Sequence, residues 1–500
     1  MKTSILYSLN GLFTTTTDRR IRGVVKNKIV ESRTSNYWSS TEYSDTNCWN
    51  VNGGDGTVNN NNNKNNSNIV RAVCALSDAD CLSWIEAYHD CIRHKLSSKE
   101  CCEYRLAGEE DVQYLAYEAT SLIYKPSISN CFCVTRPRLR EVFAANFRDR
   151  IVHHWICLRL EPLFERRFIQ CGNVSFNCRK GYGVLRAVKT VNQAFQTISD
   201  NYTKDAWVAK LDISGFFMSI DRNVLWRMLE KFVSEEYHGY NGYDDKRVLL
   251  YLIKTIVKHS PQNLCRKKGD ITLFDQLAPN KTLFKSKPMI GMPIGNLTSQ
   301  LFANFYMSEF DGWVNTKVAE FNGAFVRFVD DMVIVGRDKK AILNLVIQIR
   351  AFLKERLHIT LHRDKFYLQP ISRGVCFIGH VIKPQRIYVN RTLVSHTSDR
   401  MHEMNLFCRK LVKKNYQLTD IDKYILTKFV CSLNSFMGFM VHAATYGIRR
   451  MYLRKYKYVW KFAYYDRCRV IKIKRKYQFE ITPTKRKHRY GRKRSKAFRH

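Results

Sequence analysis

Three aspartates stand in apolar surroundings, where a carboxylate is costly unless something neutralises it. Asp212 follows the strand-like run WVAKL, with Phe216 and Phe217 just beyond it in WVAKLDISGFFMSID. Asp330 and Asp331 interrupt AFVRFVDDMVIVG, whose two apolar flanks read as the arms of a β-hairpin with adjacent carboxylates at its tip. Carboxylates from two strands that meet in space can hold two hard cations, and a pair of Mg2+ ions is the usual device for in-line displacement at a phosphate. A single such Asp is more often a turn residue or half of an ion pair. A strand Asp with a hairpin Asp-Asp in a very basic chain favours phosphate chemistry. Between the two lies PMIGMPIGNLTSQLFANFYMSEFD, in which Gly291, Pro293 and Gly295 form a turn and Asn296–Asp311 reads as one amphipathic helix. Glycine there permits close backbone approach to a ligand, and the helix start favours anions.

The rest of the chain must position these groups. Its 500 residues suggest two to four structural units. Lys and Arg total 83 against 44 Asp and Glu, a net charge of +39 that points to a polyanion, nucleic acid before an anionic membrane. Hydrophobic residues make up 45%, enough to build cores, so a mainly disordered basic protein is excluded. No apolar run is long enough to span a bilayer, and ILYSLNGLF near the start is too interrupted to read as a signal peptide. The 16 cysteines are scattered without a CxxC pair, and Cys101-Cys102 and Cys131-Phe-Cys133 have the wrong spacing for tetrahedral zinc. They read as free thiols in a reducing cytoplasm.

Residues 36–76 stand apart. The aromatics Trp38, Tyr43 and Trp49 precede an Asn run, Asn59 to Asn63, which reads as a polar loop, and IVRAV at 69–73 reads as a short strand. Residues 77–125 read as two helices, the second running into Pro126. Strand-like and helix-like stretches alternate from Arg136 to about Val389, and a mainly helical region follows to about 465. The last thirty residues hold one acid, Glu480, and read as a phosphate-contacting arm.

The order of an Asp-bearing strand, a Gly turn with its helix, and a [Phe/Tyr]-x-Asp-Asp hairpin resembles the palm of a reverse transcriptase. Upstream, RPRLREVFAANFRDRIVHHWICLRLEPLFERRFI and CRKGYGVLRAV resemble the fingers of prokaryotic members. Downstream, LHRDKFYL and GVCFIGHVIKPQRIYV resemble the last two palm motifs. The likeness covers roughly residues 125–390 and extends more loosely to 465. Most members carry Gln at the position of Ile294 and Pro at that of Gln300. The form here, Ile294-Gly-Asn-Leu-Thr-Ser-Gln300, resembles the reverse transcriptases of diversity-generating retroelements. Those enzymes copy a template RNA into cDNA with errors at adenines, and the copy replaces a variable region of a target gene, often a C-type-lectin-like binder. The segment 36–76 resembles the variable end of such a lectin-fold target, as a template repeat translated in frame would.

The resemblance implies an α+β right-hand polymerase with fingers, palm and helical thumb, and an N-terminal extension. It divides the chain into 1–76, a helical extension 77–125, fingers and palm 126–390, thumb 391–470 and a basic tail 471–500. Asp212 and Asp330 are implied to ligate two Mg2+ ions, with Mn2+ as an alternative, helped by the Ile213 carbonyl, and Asp331 supports the site. Phe217 packs under the sugar and selects dNTP. Arg140 and Arg138 grip the triphosphate, Lys365 protonates pyrophosphate, and Ile294, Gly295, Ser299 and Gln300 border the nascent pair. Phe328, Tyr in many members, and Gly379 lie along primer and template. Implied partners are template RNA, cDNA, dNTPs and a small basic accessory protein, with no membrane, in the cytoplasm of a prokaryote or from a phage. Rival readings are a group II intron or retron reverse transcriptase, and a non-catalytic nucleic-acid-binding or lectin-like protein.

Overall fold

A computed structural model describes three N-terminal strands, Asn36–Glu42, Asn47–Asn52 and Val58–Asn63, and residues 78–479 apart from 94, 97, 108, 136–137 and 467–469. The expected strand at 69–73 and the tail beyond 479 lie outside the described residues. The three strands pair antiparallel in chain order, and the Asn run lies in the third strand instead of a loop. Backbone pairing does not depend on side-chain polarity, so an Asn run can join a ladder.

Two compact units form, each from separated stretches. Among the described residues, the first comprises those up to Leu163 with Arg222–Lys285 and Pro293–Ser299, and the second Phe164–Asp221, Ser286–Met292 and those from Gln300 on. In the first, strand Ser129–Val134 pairs antiparallel with Arg140–Ala144 and parallel with Cys265–Lys268. Around it stand helices Asp78–Ile92, Lys99–Ala107 and Glu109–Thr120, where two were expected. The last stops before Pro126 because Leu122 turns left-handed (φ 59°), and the Ile123 and Tyr124 N–H groups fold back onto the Glu118 carbonyl. Trp84 stacks on Trp155 at 5.0 Å, and both are buried.

The second unit is built on a four-stranded antiparallel sheet in the order Tyr367–Pro370, Trp207–Asp212, Asp331–Gly336, Ala324–Phe328. Helix Val184–Ile198 carries Ala187, Val188, Val191, Ala194, Phe195 and Ile198 on one stripe and closes a core with Val208, Val326, Val333 and Val335. The segment read as one helix over 296–311 is two, Leu297–Tyr306 and Ser308–Ala319, broken at the buried Met307. Met307 itself keeps right-handed helical angles (φ −86°, ψ −4°), so the break is one residue wide.

Farther along, helices Arg391–Lys413, Asp420–Met440 and Tyr446–Lys455 enclose a methionine-rich core of Met401, Met404, Met437 and Met440 with Leu411, Leu426 and Leu433. Asn390 caps the first of them, and Thr419 with Asp422 forms a capping box on the second. A hairpin, Ala463–Asp466 with Val470–Ile473, packs against it. The described cysteines are free thiols, and no described helix is long and apolar enough to cross a membrane.

Candidate active site

Asp212, the last residue of its strand, pairs directly with Asp331, the first of the next, and Asp331 pairs on its other side with Phe328. Side chains alternate along strands, so Val208, Lys210 and Asp212 share a face with Asp331, Val333 and Val335. The valines are core, and the charged residues continue that face beyond the core's end. Asp330 occupies the hairpin turn, where the Ile213 N–H donates to its carbonyl oxygen (3.3 Å). The Asp212 carbonyl accepts from the His362 N–H (2.8 Å), so the segment leading to Lys365 runs beside the strand end.

Two ammonium groups meet these carboxylates. Lys365 Nζ lies 2.8 Å from Asp212 Oδ1, and Lys210 Nζ lies 3.3 Å from Asp331 Oδ1. Burial, then the charges of Asp212 and Asp331, push the Asp330 carboxyl up to about 6. Burial also raises Asp331, against the pull of Lys210. Among the described residues no three His, Cys, Asp or Glu side chains converge as a ready metal site. The donor chemistry still fits hard divalent cations: carboxylate oxygens crowded at one sheet end, with the Asp330 carboxyl raised by burial and by its two acidic neighbours. Asp212 and Asp330 would hold such ions once Lys365 gives way. The sequence reading missed Lys210, although its place two residues before Asp212 on a strand put it on the same face.

Other expected residues are spread around this unit. The chain leaves the Asp212 strand at Gly215 in the left-handed region (φ 54°) and enters a single helical turn, Phe216–Ser219. Strand alternation therefore does not separate Phe216 from Phe217. The helical turn does: Phe216 is buried and Phe217 half-buried. The Phe217 carbonyl accepts from the Met292 N–H (2.7 Å) and the Ile220 carbonyl from Gly291 (2.8 Å), which laces the first half of the Gly turn to this segment. Gln300 is exposed, and its Oε1 accepts from the Cys178 thiol at 3.4 Å. Phe328 is half-buried beside the core. Gly379 adopts φ 85° at the Phe377–His380 corner, and its carbonyl accepts from Asn390 (3.0 Å).

The first unit gathers the remainder. Arg138 and Arg140 are exposed, Arg140 opening its strand. The buried Glu141 anchors that strand by accepting from Thr282 Oγ1 (2.6 Å) and the Leu283 N–H (2.5 Å). The Ile294 carbonyl accepts from the Phe143 N–H (2.8 Å), and Asn296 Oδ1 from the Ala145 N–H (3.2 Å). Gly295 is squeezed between: at φ +131° any Cβ would lie 2.5 Å from the Phe143 carbonyl oxygen. His153, fully buried and by that burial pushed down to about 3, sits with Nδ1 2.7 Å from Thr298 Oγ1, next to the buried Ser299. Ile294 and Gly295 are thus fastened to the strand bearing Arg140. Asn296, His153 and Glu141 were not singled out from the sequence, since their partners are distant in the chain.

Residues 135–382, just under half of the chain, match the family model described as reverse transcriptase (RNA-dependent DNA polymerase). This segment is a reverse transcriptase domain. RNA-directed DNA polymerase is accordingly its enzyme class, and the palm-and-fingers α+β architecture is that of the domain. Protein YkfC of Escherichia coli (strain K12) is 24% identical over 331 residues, covering 60% of this chain and 77% of that protein. Nuclear intron maturase 1, mitochondrial, of Arabidopsis thaliana is 23% identical over 307 residues, covering 48% of this chain and 41% of the maturase. Among solved structures, apo telomerase from Candida Tropicalis truncated from its C-terminal domain overlaps 53% of this chain and 56% of its own, with TM-score 0.36 and 11% identity. Telomerase from Candida albicans in complex with a TWJ fragment of telomeric RNA overlaps 66% and 64%, with TM-score 0.38 and 11% identity. These structural likenesses are too slight to add to the domain assignment.

Proposed function

We propose that the reverse transcriptase domain makes error-prone cDNA, mutagenised at template adenines, from a template-repeat RNA for diversification of a target gene. The observation that carries this reading is the motif Ile294-Gly-Asn-Leu-Thr-Ser-Gln300, which resembles the form in reverse transcriptases of diversity-generating retroelements. A Gln amide can hydrogen-bond near the nascent pair and Ile cannot, so geometric discrimination weakens.

Asp212 and Asp330, with the Ile213 carbonyl, would hold two Mg2+ ions. When bound, such ions lower the pKa of a primer hydroxyl and stabilise charge on the transferred phosphate. Asp331 supports the pair. Phe217 screens the sugar at C2′. Arg140 and Arg138 offer guanidinium groups to triphosphate oxygens. Lys365 would donate a proton to the leaving pyrophosphate. Phe328 and Gly379 border primer and template, and Ser299 and Gln300 the nascent pair. RNA and cDNA would be held largely through phosphates by so basic a chain, with affinity falling steeply with salt. A small basic accessory protein and a cytoplasmic, prokaryotic or phage setting belong to the same reading. So does residues 36–76 as a translated template repeat, which fails if the gene's adenines there have no near-identical target differing only at those positions.

The maturase similarity supports a second reading, a group II intron-type reverse transcriptase. Sequencing the cDNA made by the purified chain on its flanking RNA separates the two. Errors concentrated at adenines and abolished by Asp330→Asn support diversification, whereas faithful cDNA supports the intron-type enzyme.

A further inference from the structure

The hairpin turn that presents Asp330 is held in an unfavourable shape. Val329, β-branched, sits in the left-handed region at φ 57°, which such a residue rarely adopts unless its surroundings impose it. Both of its backbone polar groups are taken by side chains that are buried. The Val329 N–H donates to Asn177 Oδ1 (2.9 Å), and its carbonyl accepts from Arg327 Nη1 (3.0 Å). Asn177 is 5% exposed and Arg327 fully buried.

These two side chains are themselves fixed. The segment before Asn177 is strand-paired to Arg327: the Arg327 N–H donates to the Val174 carbonyl (2.8 Å) and the Phe176 N–H to the Arg327 carbonyl (3.0 Å). Asn304 Nδ2 donates to the Asn177 carbonyl (3.2 Å). The Arg327 guanidinium forks onto both Asp311 oxygens at 2.6 Å and donates to Asn304 Oδ1 at 2.8 Å. Asn304, Asp311 and Arg327 thus form a closed polar network under the turn, with no charge left unpaired.

We propose that Asn177 and Arg327 are positioning residues of polymerisation: by gripping the two backbone groups of Val329 they hold the strained turn and aim Asp330. This rests on Asp330 being the catalytic carboxylate. Without the Asn177 acceptor, Val329 relaxes to a negative φ and the peptide carrying Asp330 rotates. Glycine at 329 adopts positive φ without steric cost, so it should remove the need for the grip.

The test is a double-mutant cycle in primer extension by the full-length chain on an RNA template, with Asp330→Asn and thermal unfolding measured alongside. Asn177→Ala should lower kcat by about 10- to 100-fold in the Val329 background, with little change in KM for dNTP. In a Val329→Gly background the same change should cost about threefold or less. Equal losses in both backgrounds, or a loss that tracks Tm, would overturn the positioning role. Retained extension in Asp330→Asn would instead overturn the catalytic reading itself. Should Asn177→Ala fail to fold, Asn177→Leu, with the same heavy-atom branching but bulkier and lacking the acceptor, replaces it in the same cycle.

Discussion

Lys365 Nζ and Asp212 Oδ1 stand 2.8 Å apart, an ion pair made across the end of the palm sheet with the lysine 43% exposed. Lys365 therefore occupies the oxygen that a metal would need, and it can leave into solvent at small cost. Lys365→Met should have two opposite effects. The stabilisation of the chain by Mg2+, read as the rise in Tm over EDTA, should increase because no ammonium competes. The rate of nucleotide addition should fall about 10- to 100-fold if the ammonium also serves as proton donor. A fall in both would mean that Lys365 helps to assemble the metal site.

Asp330 makes the apo protein pH-sensitive. Its carboxyl ordinarily titrates near 3.8 and is pushed up to about 6 in the folded chain, first by burial and then by Asp212 and Asp331. Between those values the folded chain keeps a proton that the unfolded chain has lost. Stability therefore falls as pH rises through about 4 to 6, and the loss is complete above that window. Asp330→Asn removes the buried charge and should raise the Tm of the metal-free chain at pH 7.5, with a gain on the order of 1–3 kcal/mol. It should also abolish the Tm response to Mg2+ and cut the polymerisation rate by roughly a thousandfold or more. A variant less stable than the wild type at pH 7.5 would contradict the charge-crowding account.

The strand ending at Asp212 and the Asp330-Asp331 hairpin were legible because each is local: an apolar run, an acid, a turn. The helix break at Met307 and the helical turn at Phe216 were not: no Gly or Pro marks the first, and the left-handed Gly215 turns the chain before the second. Lys210 could have been found by alternation from Asp212. Asn177 could not. Its contact with Val329 joins residues 152 positions apart, and one sequence records no such pairing. Local chemistry was therefore readable, while the groups that hold it in place were not.

Gly295 sets how closely the Gly turn approaches the Arg140 strand. A Cβ there would meet the Phe143 carbonyl oxygen at 2.5 Å and Val142 Cγ1 at 2.8 Å, and φ +131° is itself hostile to an L side chain. Backbone cannot yield as a side-chain tip can, so the turn must lift off the strand and the hydrogen bond from Phe143 N–H to the Ile294 carbonyl must lengthen. Gly295→Ala should cost about 1–3 kcal/mol in stability. It should also raise KM for dNTP tenfold or more, and a Tm and KM both within error of the wild type would count against this packing.

Ile294 offers the most specific test of the proposed error-prone activity. Its backbone is anchored by Phe143, so a change of side chain should leave the turn in place. Ile294→Gln restores an amide able to hydrogen-bond near the nascent pair. Discrimination by a polar group that a mismatch leaves unpaired is worth on the order of 1–3 kcal/mol, or about 5- to 150-fold. Misincorporation opposite template adenine, counted by deep sequencing of cDNA made in vitro, should fall by a factor in that range while extension on homopolymer templates persists. An unchanged error spectrum would move the source of infidelity elsewhere. Gln300, whose Oε1 accepts from the Cys178 thiol, is the next residue to exchange, as Gln300→Pro.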